Sequence, residues 1–191
     1  EEGTDMIVVG KRGENANFST EHLGSTMERM ARAATKPSFV ASREFKEVSR
    51  ALISYDDGPS CRKAVDFVAE SGMFSEAEIH LITVSPNEEE EGRLKGLKNA
   101  EAILADSGRS LTCQMLHGEA APTVIAYVNA KEINLLVMGA YGHNRIRQLI
   151  LGSSTTELLQ GCQIPTLNLE ESKSGAEANC FTQVILLTGT L

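Results

Sequence analysis

The chain has 191 residues, of which 41% are hydrophobic and 23% charged, and its formal net charge is −8. This length is enough for one domain with extensions, or for one domain and part of another. The acidic balance argues against a nucleic-acid partner, because no basic face is available to displace counterions from a phosphate backbone. A mononucleotide is not excluded, since backbone amides can hold it. No apolar run reaches the roughly 18 residues that a membrane span needs.

The cysteines and histidines predict neither disulfides nor a metal site. The cysteines are far apart and form no C-x-x-C pair, which predicts reduced thiols in a cytoplasmic protein. The histidines show no paired metal-ligand spacing. The residues concerned are Cys61, Cys113, Cys162 and Cys180, and His22, His80, His117 and His143.

The first 42 residues predict a strand, a glycine-containing loop, a helix and a second strand. The first strand is Met6–Gly10, the helix passes through Met27 and Met30, and the second strand is Phe39–Val40. Pro37 ends the helix and releases the chain into an extended conformation. A short polar linker, residues 43–46, follows.

Strands and helices then alternate from residue 47 onward. The first helix follows the stretch Asp56–Ser60, where turn formers and a helix cap meet, and the second starts in the acidic stretch Asn87–Glu91. The third helix begins at Pro122, and the fourth passes through Leu158 and Leu159. This alternation predicts an α/β fold with an open, parallel, five-stranded, Rossmann-like sheet and helices on both faces. The five strands are predicted at Ala51–Tyr55, His80–Val84, Thr112–Leu116, Leu135–Met138 and Thr166–Leu169.

An internal repeat with a period of about 129 residues relates residues 5–42 to the end of the second unit. Met6–Gly10 corresponds to Leu135–Gly139, and the pair Gly24-Ser25 corresponds to Gly152-Ser153. Thirteen positions separate the glycine from the following proline in both copies, which end at Pro37 and Pro165. The repeat predicts residues 1–42 as the last third of a first domain and 47–170 as a complete second one.

Small residues follow the fourth strand of the second copy in the spacing Gly-x2-Gly-x9-Gly-Ser, from Gly139 to Ser153. Glycines let a backbone approach a phosphate closely, and a helix N-terminus after such a loop offers free N–H groups. A purely structural turn is the alternative. This spacing resembles the ATP-binding signature of the universal stress protein family, whose fold is similar to that of the adenine nucleotide alpha hydrolases.

The resemblance implies an ATP or AMP site in the second copy, with Mg²⁺ as a companion of the phosphates. In that family an acidic residue at the end of the first strand contacts the adenine end of ATP. Asp56 holds this position, but Asp57 follows directly, so either carboxylate could face the site. The residues assigned to the nucleotide are Asp56, Val84, Gly118, Gly139, Gly142, His143, Arg145, Gly152, Ser153 and Ser154. No catalytic or metal-binding residue is assigned.

The first copy departs from the signature. Its glycine loop is one residue longer, with ten residues between Gly13 and Gly24, and Glu14 places negative charge near the phosphates. The resemblance also implies that the terminal strands of the two copies pair edge to edge, as in a dimer, so that Phe39–Val40 would pair with Thr166–Leu169. A homodimer of the whole chain is a further expectation.

Three functions fit these features. The first is a cytoplasmic stress-response protein that signals through bound ATP or AMP, with at most slow hydrolysis. The second is a nucleotide-free scaffold of the same fold that acts through its dimer surface. The third is an enzyme of the wider architecture, although P-loop, dinucleotide and nucleophile-elbow signatures are absent from the sequence.

Residues 171–191 fit neither copy and form a tail, whose polar half is expected to be flexible. Its apolar half, Phe181–Leu187, could add an edge strand, cover an apolar patch or have no structural role.

Overall fold

Strands and helices alternate between residues 50 and 169 in a computed structural model that describes residues 6–10, 36–42, 44, 46–86, 91–139, 153–169 and 184–187. For residues 153, 154 and 184–187 it describes the backbone alone. The predicted helix through Met27 and Met30, and the glycine loop that precedes it, lie outside the described residues. The strands are β1 (Met6–Gly10), β2 (Ser38–Ala41), β3 (Arg50–Ser54), β4 (Glu78–Ser85), β5 (Leu111–His117), β6 (Leu135–Gly139), β7 (Thr166–Leu169) and β8 (Val184–Leu187).

Among the described residues, four α-helices lie between the strands from β3 to β7. Pro59 starts the first of them because its fixed φ suits the first helical turn, and Gly58 is the residue that caps it. The cap therefore lies in the predicted stretch Asp56–Ser60, whereas Ser60 itself is buried inside the helix. The helices are α1 (Pro59–Glu70), α2 (Glu91–Asp106), α3 (Ala120–Ala130) and α4 (Ser153–Gly161).

The strands form one continuous sheet in the order β5-β4-β3-β6-β7-β2-β1-β8. Strands β3 to β7 are mutually parallel, as the alternating pattern predicts. The predicted α/β class is therefore confirmed, but the sheet has eight described strands rather than five. The difference arises because the strands outside the second copy join the same sheet.

Each face of the sheet carries two helices. Helices α1 and α2 cover one face, where Val68, Leu97 and Leu104 are almost inaccessible to solvent. On the other face lie α3 and α4, whose Val124 and Leu159 are equally buried. Strands covered on both faces are apolar at successive positions, which explains why the central strands read as continuous apolar runs.

The two parts of the chain meet at β2 and β7, which pair antiparallel. Phe39 faces Leu167 across the pair and Val40 faces Thr166, so the expected pairing of these segments is confirmed. Because β2 covers the edge of β7, neither strand presents an open edge there.

The strand pairs on the two sides of this junction share one register. Val8 pairs with Phe39 in the first copy, and Val137 pairs with Leu167 in the second. The amide of Ile7 also donates to the carbonyl of Pro37 at 2.9 Å. Its counterpart, the amide of Leu136, donates to the carbonyl of Pro165 at 3.0 Å.

The tail contributes β8, which pairs parallel with β1. Of the three roles considered for its apolar half, the edge strand is therefore the one that the backbone adopts. Residues 171–183, which include the polar half, lie outside the described part of the chain.

Candidate functional site

The predicted site residues that the structure describes lie at the carboxyl ends of the parallel strands. The chain leaves β3 towards β4 on one side and leaves the neighbouring strand β6 towards β7 on the other, and a crevice opens at such a switch point between the ends of β3 and β6. Around this edge lie Asp56 after β3, Val84 near the end of β4, Gly118 after β5 and Gly139 at the end of β6.

Helix α4 brings its N-terminus to the same edge. It connects β6 to the parallel strand β7, so it must run back from the carboxyl end of the sheet. Ser153 and Ser154 are its first two residues, where backbone N–H groups have no partner within the helix. Four other predicted site residues lie outside the described residues: Gly142, His143, Arg145 and Gly152.

The two consecutive aspartates point to different places. Asp56 Oδ1 accepts a hydrogen bond of 2.9 Å from the amide of Gly58, which closes the turn between β3 and α1. Asp57 adopts a left-handed backbone conformation with φ of 62°. Its Oδ1 accepts from the Tyr55 hydroxyl at 2.8 Å and from Arg62 Nε at 3.1 Å. Asp56 is therefore the carboxylate that stays at the strand end.

Asp57 faces a cleft of about 470 Å³ between α1 and α2. A Cβ on Gly96 would lie only 2.6 Å from Asp57 Cγ, so the aspartate fits because this helix position has no side chain. Burial, together with the hydrogen bond and negative charge of Asp57, raises the pKa of Tyr55. The lining of the cleft includes Asp57 but none of the described residues predicted to bind nucleotide.

Strand β4 extends beyond β3 at the site. Its pairing with β3 ends at Ser54–Ile82, whereas its pairing with β5 continues to Ser85–His117. Val84 therefore lies on a stretch of β4 that runs past the end of β3. Arg93 Nη1 of α2 donates to the Val84 carbonyl at 3.4 Å. Nothing in the spacing of the sequence indicated this contact.

Gly139 lies against the N-terminus of α1. A Cβ added there would be 2.8 Å from the backbone nitrogen of Cys61 and 2.9 Å from both Cys61 Sγ and Ser60 Cβ. Real Cβ atoms are essentially never found so close to such neighbours. Close packing of helix against strand thus requires a glycine here, independently of any ligand.

Gly118 has φ of 137°, a conformation that residues with a Cβ rarely adopt. Its amide donates to the carbonyl of Ser85 at 3.0 Å, and an added Cβ would lie 2.7 Å from Thr123 Oγ1. The glycine thus makes the tight turn from β5 into α3.

Cys61 lies beside the site, although no motif in the sequence pointed to this residue. Its thiol donates to the carbonyl of Ser54 at 3.4 Å, and its side chain is buried. Burial, and then the charge of Asp56, raise the pKa of this thiol. Cys61 is therefore an unreactive packing residue. The only feature of the sequence that could have indicated its place beside the site is its position in the first turn of a helix after a strand.

The described residues contain neither a membrane-spanning helix nor a cluster of metal ligands. None of the described helices is long and apolar enough to cross a membrane. Within the same residues, no group of three or more histidine, cysteine or acidic side chains is arranged to hold a metal ion.

A mostly parallel sheet with helices on both faces, and polar groups at the carboxyl ends of its parallel strands β3 to β6, place the protein in the Rossmann-like class. The family model described as "Universal stress protein family" matches residues 47–168. The chain therefore belongs to the universal stress protein family.

A curated relative, Universal stress protein Slr1230 of Synechocystis, is 37% identical over 163 residues, covering 85% of this chain and 57% of its own. A universal stress protein from Archaeoglobus fulgidus has a TM-score of 0.72 at 19% identity, with 90% of this chain and 63% of that chain covered. A universal stress protein in complex with cAMP has a TM-score of 0.54 at 18% identity, with 65% and 98% covered.

The likeness to these solved structures shows the fold alone. The chain spans a little over half of the length of the Synechocystis relative, so residues of that relative have no counterpart here.

Proposed function

We propose that this chain is part of a tandem universal stress protein that binds ATP or AMP at the carboxyl edge of its second copy. The observation that carries the proposal is the meeting of Asp56, the extended end of β4 and the N-terminus of α4 around the switch point next to β3. These features offer an acceptor carboxylate, backbone polar groups and helix amides, which suit the base, ribose and phosphates of a mononucleotide.

In the proposed complex, Asp56 accepts a hydrogen bond from the base or ribose, and the Val84 backbone meets adenine. Turns at Gly118 and Gly139 keep the strand ends open to the nucleotide. The ribose and phosphates are assigned to Gly142, His143, Arg145, Gly152, Ser153 and Ser154. A Mg²⁺ ion would accompany the phosphates rather than occupy a set of protein ligands.

The site fits a binding role better than rapid catalysis. Cys61, a nucleophile beside Asp56, is buried, and burial together with the charge of Asp56 raises the pKa of its thiol. We therefore expect signalling through the bound state in the cytoplasm, with at most slow hydrolysis. The solved universal stress protein in complex with cAMP supports an adenine nucleotide as the ligand class.

The tandem arrangement is supported by the equal registers of the β1–β2 and β6–β7 pairs and by the antiparallel junction between them.

Two contacts favour a second candidate, a nucleotide-free scaffold. Asp56 Oδ1 is already bonded to the Gly58 amide, and the Val84 carbonyl already has Arg93 within 3.4 Å. Both acceptors retain lone pairs, so these contacts permit a nucleotide but do not require one. The scaffold would act through its dimer surface.

The first experiment is to purify the protein without added nucleotide, denature it and identify any released small molecule by chromatography and mass spectrometry. We expect ATP or AMP from the wild type and none from Gly152→Val. Gly72→Val is the matched control, because a Cβ at this glycine has nothing within 4 Å. An empty wild type that also ignores added ATP in calorimetry would favour the scaffold.

The two aspartates offer a sharper test. Asp56→Asn keeps an oxygen acceptor for the Gly58 amide but removes the charge, so we expect about tenfold weaker nucleotide binding from the loss of a charge-assisted bond. Asp57→Asn removes the same charge one residue away and should leave affinity unchanged, because this carboxylate faces Tyr55 and Arg62. Equal losses for both variants would contradict the assignment of Asp56.

A further inference from the structure

Helix α2 contacts both strand ends that are assigned to the base, although none of its own residues is assigned to the nucleotide. At the end of β4, Arg93 Nη1 donates to the Val84 carbonyl at 3.4 Å. After the end of β3, Gly96 lies against the carboxylate of Asp57, the residue next to Asp56. The position of α2 over the sheet therefore affects the geometry of the site from outside it.

Asp57 is held in an unusual backbone conformation by its side chain. Its φ of 62° lies in the left-handed region, which residues with a Cβ seldom adopt and which aspartate tolerates better than most. Its Oδ1 accepts hydrogen bonds from the buried Tyr55 hydroxyl at 2.8 Å and from Arg62 Nε at 3.1 Å. Tyr55 follows β3 directly and Arg62 lies in the first turn of α1, so the Asp57 side chain joins the strand end to the helix.

Gly96 provides the space for this carboxylate. A Cβ at residue 96 would lie 2.6 Å from Asp57 Cγ, 2.8 Å from Oδ2 and 3.0 Å from Oδ1. Because Cγ is bonded directly to the Cβ of Asp57, the carboxylate could avoid the added atom only by leaving its two hydrogen bonds. A Cβ at Gly92, one turn earlier on α2, would have nothing within 4 Å, so the close contact is particular to residue 96.

The conformation of Asp57 also determines the direction of Asp56. The Asp56 carboxylate accepts a hydrogen bond from the Gly58 amide at 2.9 Å, and this bond spans residue 57. A change in the φ of Asp57 moves the Gly58 amide relative to the Asp56 carboxylate. Such a change therefore breaks the bond that keeps Asp56 at the strand end.

We propose that Gly96 and Asp57 are positioning residues of the nucleotide site: Gly96 accommodates Asp57, and Asp57 in this place keeps the Asp56 carboxylate directed at the nucleotide. The inference rests on the nucleotide site proposed above and adds to it a dependence of affinity on a helix that supplies no assigned residue. A purely structural role of Gly96 would change stability and leave the affinity of the folded protein unchanged.

ATP binding to the full chain, measured by calorimetry, tests the proposal with two matched variants. Gly96→Ala adds a methyl group against Asp57, whereas Gly92→Ala adds the same group where nothing lies within 4 Å. Both variants gain a similar helix propensity. We expect about tenfold weaker binding in Gly96→Ala, as for loss of the charge-assisted bond of Asp56, and wild-type affinity in Gly92→Ala. Equal affinities of the two variants would overturn the proposal.

Removal of the Asp57 side chain shows whether the effect passes through this contact. Asp57→Gly suits the left-handed conformation but loses both hydrogen bonds, so we expect about threefold weaker ATP binding. Asp57→Asn keeps both bonds through its amide oxygen, which agrees with the wild-type affinity expected of it. An Asp57→Gly variant that binds ATP as tightly as Asp57→Asn would overturn the positioning role, whether or not Gly96→Ala folds.

The double variant Gly96→Ala/Asp57→Gly lacks the carboxylate that the added methyl group would meet. Its free energy of unfolding and its ATP affinity should both equal those of Asp57→Gly, because residues in contact have non-additive effects. Losses of affinity that simply add would show that Gly96 does not act through Asp57, and would overturn the proposal.

The Gly58 amide gives a readout that needs no nucleotide, because its hydrogen exchange, followed by NMR, reports the bond to Asp56 Oδ1. We expect slow exchange in the wild type and in Gly92→Ala, and fast exchange in Gly96→Ala. This result together with a wild type that does not bind ATP would refute the nucleotide function and leave the positioning of Asp56 supported. Unchanged protection of Gly58 in Gly96→Ala would refute the positioning, whatever the affinity for ATP.

Discussion

Gly139 could be required for the packing of α1 on β6 or for nucleotide binding, and Gly139→Ala distinguishes these two roles. The added Cβ would lie 2.8 Å from the backbone nitrogen of Cys61 and 2.9 Å from Ser60 Cβ. Neither neighbour is the end of a flexible side chain, so α1 must move away from β6. Inserting a methyl group into such close packing costs about 1–3 kcal/mol.

The assay is urea denaturation of the protein without nucleotide, followed by circular dichroism. We expect the free energy of unfolding to fall by about 1–3 kcal/mol, and the melting temperature by about 2–4 °C for each kcal/mol in a chain of this size. Cys61→Ala should not restore stability, because the shortest contact involves the backbone of that residue.

Gly72→Ala is the control, since its Cβ would have nothing within 4 Å. It should match the wild type or exceed it slightly, because alanine reduces the entropy of the unfolded chain. The reasoning is refuted if Gly139→Ala is as stable as Gly72→Ala and loses only nucleotide binding.

Two further predictions concern the opposite end of the sheet and a buried histidine. Asn134→Ala should lower the free energy of unfolding by about 1–3 kcal/mol in urea denaturation, because its amide bonds four groups of residues 47–50 at 2.8–3.1 Å; exposed Asn99→Ala should have no effect. Burial lowers the pKa of His80 below its ordinary 6.5, against the raising effect of Glu78, so the unfolded chain binds this proton more readily and stability should fall as pH drops below about 6.5. Denaturation at several pH values should show a weaker decrease in His80→Asn, and equal slopes in both proteins would contradict the sign.

Local patterns predicted the strands well. The apolar runs at Leu135–Met138 and Thr166–Leu169 lie where the strands β6 and β7 are found. The strand ends were predicted less accurately. Strand β4 begins at Glu78, two residues before the predicted His80, because Glu78 and Ile79 pair with Arg50 and Ala51 of β3. Such pairing with a neighbouring strand cannot be read from local propensity.

The sequence predicted the position of the candidate site better than the contacts of its residues. That strand-end residues Asp56 and Gly118 lie at one edge follows from the parallel alternation alone. The contact between Arg93 and Val84 was not predictable, because it depends on how α2 lies over the sheet. Nor did the spacing distinguish a glycine that approaches a ligand from one that packs on a helix, as Gly139 does.

The sequence by itself determined the α/β class, which depends on a periodicity of apolar residues that can be read along the chain. Through the family resemblance it also predicted the segments that pair as β2 and β7. Only the tertiary structure decided that Asp57 turns towards α2, that Gly139 must accommodate α1, and that the tail enters the sheet beside β1. Each of these results from contacts between residues far apart in the chain, whose geometry no local pattern encodes.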